Sequence, residues 1–151
     1  AESPAMAALN RQLGQVRGFI TAAAEQVPEA DYGFKPTPDV RSFGALIGHV
    51  AESNYAICAA VLGEKPPDGD IEAKKTAKAD LVAAVKGSFD YCDKAYAFAD
   101  AESFKVVSLF GRERPRFNGL LLNLVHDWEH YGNIVTYMRL KGLVPPSSQA
   151  K

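Results

Sequence analysis

Apolar residues recur at spacings of three and four along four stretches of the chain, with proline and glycine between them, and this period predicts helices. In the first, Pro4–Gln26, Leu9, Leu13, Val16, Phe19 and Ile20 form the stripe. Ser3 is placed to cap it, Pro4 takes the first helical position, and Val27-Pro28 ends it. Residues 29–41 hold Pro36 and Pro38 and read as extended or irregular. The second stretch, Phe43–Leu62, follows Ser42 and stops at Gly63; Phe43, Leu46, Val50, Ile57 and Val61 share a face. The third, about 77–99 after a Thr76 cap, carries Leu81, Val85, Phe89, Cys92 and Tyr96. Residues 104–110 are β-like and suit one short strand or hairpin, with a turn over 111–115. The fourth helix spans about 117–141, and Leu120, Leu121, Leu124, Trp128, Tyr131, Val135 and Met138 cover a broad face. Gly142 is its stop signal, Pro145-Pro146 follow, and the tail beyond them reads as disordered.

Four helices of this length predict an all-α four-helix bundle. The connection 63–75 is longer than the 2–8 residues that antiparallel neighbours need, so it can run the length of the bundle and return the chain parallel. At 151 residues the chain suits a single domain, 1–151. Apolar residues at 47% and charged residues at 23% are ordinary for a globular protein. A net charge of −1 argues against nucleic acid or a polybasic membrane patch. No run of 18 apolar residues is present, which argues against a membrane span. The start Ala1-Glu2-Ser3-Pro4, without Met, fits an exported protein after leader cleavage, and equally a chain trimmed at its start; otherwise the location is cytoplasmic. Cys58 and Cys92 are too few for a disulfide framework or a cysteine zinc site, and read either as buried thiols or as one disulfide.

Only three histidines occur, His49, His126 and His130. His126 and His130 lie four apart on one helix, the spacing that lets one helix give a metal two ligands. Asn123, Asn133 and Tyr137 share their face. His49 borders the second helix's apolar stripe and can face a bundle interior. Three neutral imidazoles leave a coordination position open, as catalytic zinc requires. The segment His126-Asp127-Trp128-Glu129-His130 also matches the H-x-x-E-H pattern of inverted zinc peptidases. That reading needs a downstream carboxylate, and no Asp or Glu follows His130. A ferritin-like di-iron site fails as well, for want of a second Glu-x-x-His.

The "HVAESNY" run around His49 and the stretch "LVHDWEHYGNIVTYMRLKGLVPPSS" resemble the DinB-like family, and the likeness extends over about residues 8–148. The resemblance implies a bundle of up-down-down-up order with a long crossover between helices 2 and 3. It implies a divalent metal, Ni²⁺ or Zn²⁺, held by His49, His126 and His130. It also implies a homodimer, and in some members a thiol S-transferase or isomerase activity with a low-molecular-weight thiol such as bacillithiol or mycothiol.

On that footing the leading expectation is a metal-dependent thiol S-transferase acting on a small-molecule thiol or electrophile. The alternative is a non-catalytic metal-binding or stress-associated protein. Glu52 and Glu129 are candidate catalytic carboxylates, each with a solvated surface residue as the alternative. Asn123 and Tyr137 are candidates for contacting substrate or orienting the ligands. Arg112, Arg114 and Arg116 are candidates for holding an anion, or a solvated loop. The few charges on the fourth helix, Asp127, Glu129, Arg139 and Lys141, suggest burial on more than one side, by its own bundle or by a second copy. Cys58 and Cys92 sit at matching heights only if helices 2 and 3 run parallel; an antiparallel pair would separate them by roughly 13 Å, beyond a disulfide's reach.

Overall fold

The computed structural model describes residues 3–150; Ala1-Glu2 of the leader expectation and Lys151 of the tail lie outside them. Four long helices carry the core: α1 (Pro4–Gln26), α2 (Phe43–Leu62), α4 (Lys78–Tyr96) and α6 (Arg116–Leu140). Between them lie two single-turn helices, α3 (Ile71–Lys74) and α5 (Asp100–Ser103), and the strands β1 (Val106–Leu109) and β2 (Arg112–Pro115). The helix ends follow their signals. Ser3 Oγ accepts from the Met6 N–H, and Ser42 Oγ from the Ala45 N–H at 3.1 Å. Gly63, at φ 76°, closes α2 in the left-handed conformation that favours glycine.

Contact order along each pair gives the topology. Gly48 meets Leu81, Asn54 meets Ser88 and Cys58 meets Cys92, so α2 and α4 run parallel. Arg17 binds Asp90 and Asp93 while Asn10 binds the Tyr96 carbonyl, so α1 and α4 are antiparallel. Val61 packs on Gly119, Cys58 lies at Asn123 and His49 at His126, so α2 and α6 are antiparallel too. The order is up-down-down-up, with the crossover between α2 and α4. Cys58 and Cys92 form a disulfide with Cα atoms 5.4 Å apart, and both are fully buried. This replaces the free-thiol reading, because the parallel pairing brings the two cysteines to one height.

By length and composition α2 would pass as a membrane span, with mean hydropathy 1.3 over 18 residues, although His49, Glu52 and Asn54 interrupt its apolar run. Its buried face, Phe43, Leu46, Ile47, Val50, Cys58 and Val61, lies in the common core. Helix α6 turns Leu121, Leu122 and Val125 outward, so Leu121 leaves the buried face expected of it.

Other boundaries shift for local reasons. Helix α4 starts at Lys78 with Ala77 at the cap position, and ends at Tyr96. Phe110 and Gly111, both at positive φ, make a two-residue turn, so 112–115 become a strand paired to β1. The C-terminal tail is ordered by contacts: Tyr131 donates its hydroxyl to Ser147 Oγ at 2.7 Å, and Gln149 donates to Gln26. The crossover is tied down by α3, whose Ile71 is fully buried. Ile71 is the one large apolar residue in the polar run 64–76.

Candidate metal centre

All three histidines meet at one end of the bundle. His126 Nε2 lies 3.1 Å from His49 Nε2 and 3.0 Å from His130 Nε2. Helix α6 delivers two of these nitrogens from successive turns, and α2 crosses opposite with the third. Three ring nitrogens so close repel unless a proton or a cation sits among them. Nitrogens bonded to one ion at about 2.0–2.1 Å stand roughly 3 Å apart. The donor set fits a divalent transition metal.

Partners behind the rings fix which nitrogen faces the cluster. Glu72 Oε2 lies 3.1 Å from His49 Nδ1, so this nitrogen donates and Nε2 keeps its lone pair. Asn133 Oδ1 does the same for His130 Nδ1 at 3.1 Å. Among the described residues, His126 Nδ1 is buried without a partner. Burial, then the neighbouring His130 and His49 and the Arg41 guanidinium, lower the His126 pKa to about 4. Burial also lowers that of His130, against the pull of Asn133. These two imidazoles are neutral at physiological pH, the form that binds metal.

Glu72 escaped the sequence reading, and it is the most connected residue here. Its Oε1 accepts from Arg41 Nε at 2.7 Å, and its backbone N–H donates to Glu52 Oε2 at 3.1 Å. It sits on α3, which packs against Gly48: a Cβ there would lie 3.1 Å from Glu72 Cα and 3.2 Å from Leu81 Cδ2. The glycine beside His49 thus lets Glu72 reach the ring. The only signal in the sequence is Ile71, the apolar plug next to it.

The other candidates separate. Glu52 holds the α3 backbone instead of facing the cluster. Glu129 points outward and exposed. Tyr137 lines the neighbouring pocket, but its hydroxyl donates to the Arg41 carbonyl at 2.7 Å. Asn123 is fully buried beneath the site, where its Nδ2 donates to Asn54 Oδ1 at 2.7 Å and Asp127 Oδ2 at 3.0 Å. Arg116 donates to the Val61 carbonyl and pairs with Glu102, a structural role, while Arg112 and Arg114 lie on the exposed hairpin.

Asp127, between the two α6 histidines in sequence, is fully buried, and burial raises its pKa well above the usual carboxyl value. The hydrogen bonding agrees. With the Asn54 amide oxygen toward Asp127, the two Oδ1 atoms stand 3.0 Å apart. Turning the Asn54 amide places its nitrogen 2.7 Å from that of Asn123. Turning both amides sets the Asn123 oxygen against Asp127 Oδ2. Each workable arrangement leaves one oxygen pair on Asp127 that a carboxyl proton resolves.

Beside the cluster opens a pocket of about 660 Å³, walled by Lys35, Arg41, Ser42, Glu72, His130 and Tyr137 among others. His130 brings the edge of the three-histidine cluster to the wall of this pocket.

The family model described as the DinB superfamily matches residues 12–134. The chain belongs to the DinB superfamily. Solved structures of DinB-like proteins share the fold. A DinB-like protein of Bacillus cereus ATCC 10987 superposes with TM-score 0.78 at 13% identity, covering 91% of this chain and 93% of that one. A putative member of the DinB family from Exiguobacterium sibiricum 255-15 gives TM-score 0.72 at 19% identity, over 94% and 95%. A DinB-like protein from Bacillus subtilis gives 0.68 at 19%, over 89% and 93%. At these identities the likeness is one of fold. No curated protein matches the chain. This DinB protein therefore combines the superfamily's bundle with three histidines positioned to bind a metal ion.

Proposed function

We propose that this DinB protein is a metal-dependent thiol S-transferase that holds Ni²⁺ or Zn²⁺ on His49, His126 and His130. The observation that carries the reading is the convergence of three Nε2 atoms beside a 660 Å³ pocket whose wall includes His130. A divalent ion held there would lower the pKa of a thiol or water, giving a nucleophile at neutral pH. The chain's own residues do the rest. Glu72 and Asn133 orient two of the rings, and the core beneath keeps water from the ligands' inner side. Among the described residues, Glu72 is engaged on both oxygens and Glu52 accepts from the α3 backbone, while Glu129 points outward. This suits a nucleophile activated by the ion alone, and it also favours the second reading, a non-catalytic metal-binding protein.

Loading the untagged protein with Zn²⁺ or Ni²⁺ and assaying low-molecular-weight thiols against a panel of electrophiles separates the two. Turnover that needs both metal and His126 supports the transferase; tight metal binding with no turnover leaves the second reading.

The exposed Leu121, Leu122 and Val125 on one face of α6 support a homodimer along that helix. A monomer by light scattering at micromolar concentration would remove it. The disulfide fits an oxidising compartment.

A further inference from the structure

The pocket beside the histidines has a cationic anchor of its own. Arg41 is held at two points: its Nε donates to Glu72 Oε1 at 2.7 Å, and its carbonyl accepts from the Tyr137 hydroxyl at 2.7 Å. Its two Nη groups have no partner among the described residues, and its side chain, 41% exposed, lines the pocket. The arginine is thus oriented by its neighbours with its outer edge unused. That edge matches a carboxylate, which accepts two parallel N–H bonds from a guanidinium.

The charges around it leave room for an anion. Glu72 is engaged on both oxygens, by Arg41 and by His49. Asp39 and Lys35 both line the pocket, one charge of each sign, and Lys35 Nζ donates to the Pro38 carbonyl at 3.2 Å. A divalent ion held by the neutral imidazoles would add positive charge beside the pocket. Because one carboxylate holds both Arg41 and His49, the guanidinium and the histidine cluster lie a few atoms apart, so a molecule touching both is short.

We propose that this pocket binds a short carboxylate-bearing ligand through Arg41, with the ligand's other end at the open side of the histidine cluster. The inference deepens the thiol-transferase reading: it assigns the thiol or its acceptor to carboxylic acids, and it makes Arg41 the residue that selects them.

The test uses full-length protein loaded with Co²⁺, whose visible spectrum reports a sulfur ligand, titrated with 3-mercaptopropionate and with 2-mercaptoethanol. Co²⁺ affinity and melting temperature of each variant are measured first, and Arg41→Lys serves as the charge-retaining control. The wild type is expected to bind 3-mercaptopropionate about tenfold more tightly than 2-mercaptoethanol. Arg41→Gln should bring that ratio close to one, and Arg41→Lys should keep part of the preference. A ratio near one in the wild type, or a preference that survives Arg41→Gln, overturns the inference and leaves the transferase reading standing. If Co²⁺ binds and neither thiol changes the spectrum, the thiol reading falls. The inference is then decided by calorimetry with succinate on the Zn²⁺-loaded protein: binding lost in Arg41→Gln supports it, and no binding, or binding indifferent to the substitution, overturns it.

Discussion

Glu72 holds the rear of His49 and the side of Arg41 with one carboxylate, so it sets both the ring that would bind a metal and the guanidinium that faces the pocket. Partners in this position typically command 10–100-fold in metal affinity. Glu72→Ala should therefore weaken Zn²⁺ binding by about 10–100-fold, and Glu72→Gln, which still accepts from Nδ1, by clearly less; competition against a chelating dye reads both, and unchanged affinity in Glu72→Ala would remove its orienting role. Asp127 gives a pH-dependent prediction. Its folded pKa lies above its unfolded one, so its contribution to stability is complete below about pH 4 and declines as pH rises toward the folded value. Asp127→Asn keeps the hydrogen bonds to Asn54 and Asn123 without the charge. In metal-free protein, its melting temperature relative to wild type should rise progressively from pH 4 to pH 7; a constant difference would mean that Asp127 does not titrate this way. At this scale the sequence was legible where residue type and spacing carry the chemistry, as in the histidines. It was silent on Glu72 and Arg41, because their roles depend on where a 15-residue crossover folds back. Asn123 and Tyr137 were legible as members of the histidine face, but helical period cannot say whether an amide or hydroxyl is used by substrate or by the protein itself.

Among the elements, the parallel pair α2 and α4 is the least local feature, since no short loop enforces it. The Cys58–Cys92 bridge fixes it covalently across a separation of 34 residues. Cross-linking a loop of that size stabilises by about 3–4 kcal/mol in the chain-entropy model. Urea unfolding with and without reductant should show a loss of about that size, and the unreduced protein should be two hydrogens lighter by intact mass. Two alkylatable thiols in unreduced, unfolded protein would contradict the bridge. Helices α1 and α2 were legible because cap, stop and apolar period agree, whereas α4 and α6, without a side-chain cap, were legible from their apolar period. The single turn α3 was not, because four residues are too few to show a period; burial of Ile71 forms it. The second strand was hidden for a related reason: Arg112-Glu113-Arg114-Pro115 has no apolar alternation and pairs through its backbone.

For the whole molecule, the up-down-down-up order places His49 and the His126/His130 pair at the same end of the bundle, because α2 and α6 are antiparallel neighbours. The crossover then packs over that end and supplies Glu72, while the loop before α2 supplies Arg41 and closes the pocket's side. Fold and site are therefore one arrangement: α6 gives two of the histidines, α2 the third, and the irregular segments give Glu72 and Arg41. This account rests on one metal ion at three histidines. Metal analysis and Zn²⁺ titration of untagged protein, wild type and His126→Ala, test it most directly. One ion per wild-type chain is expected, with binding in the variant weakened beyond the roughly 10–100-fold of an orienting partner. Equal metal content in the two proteins would contradict it.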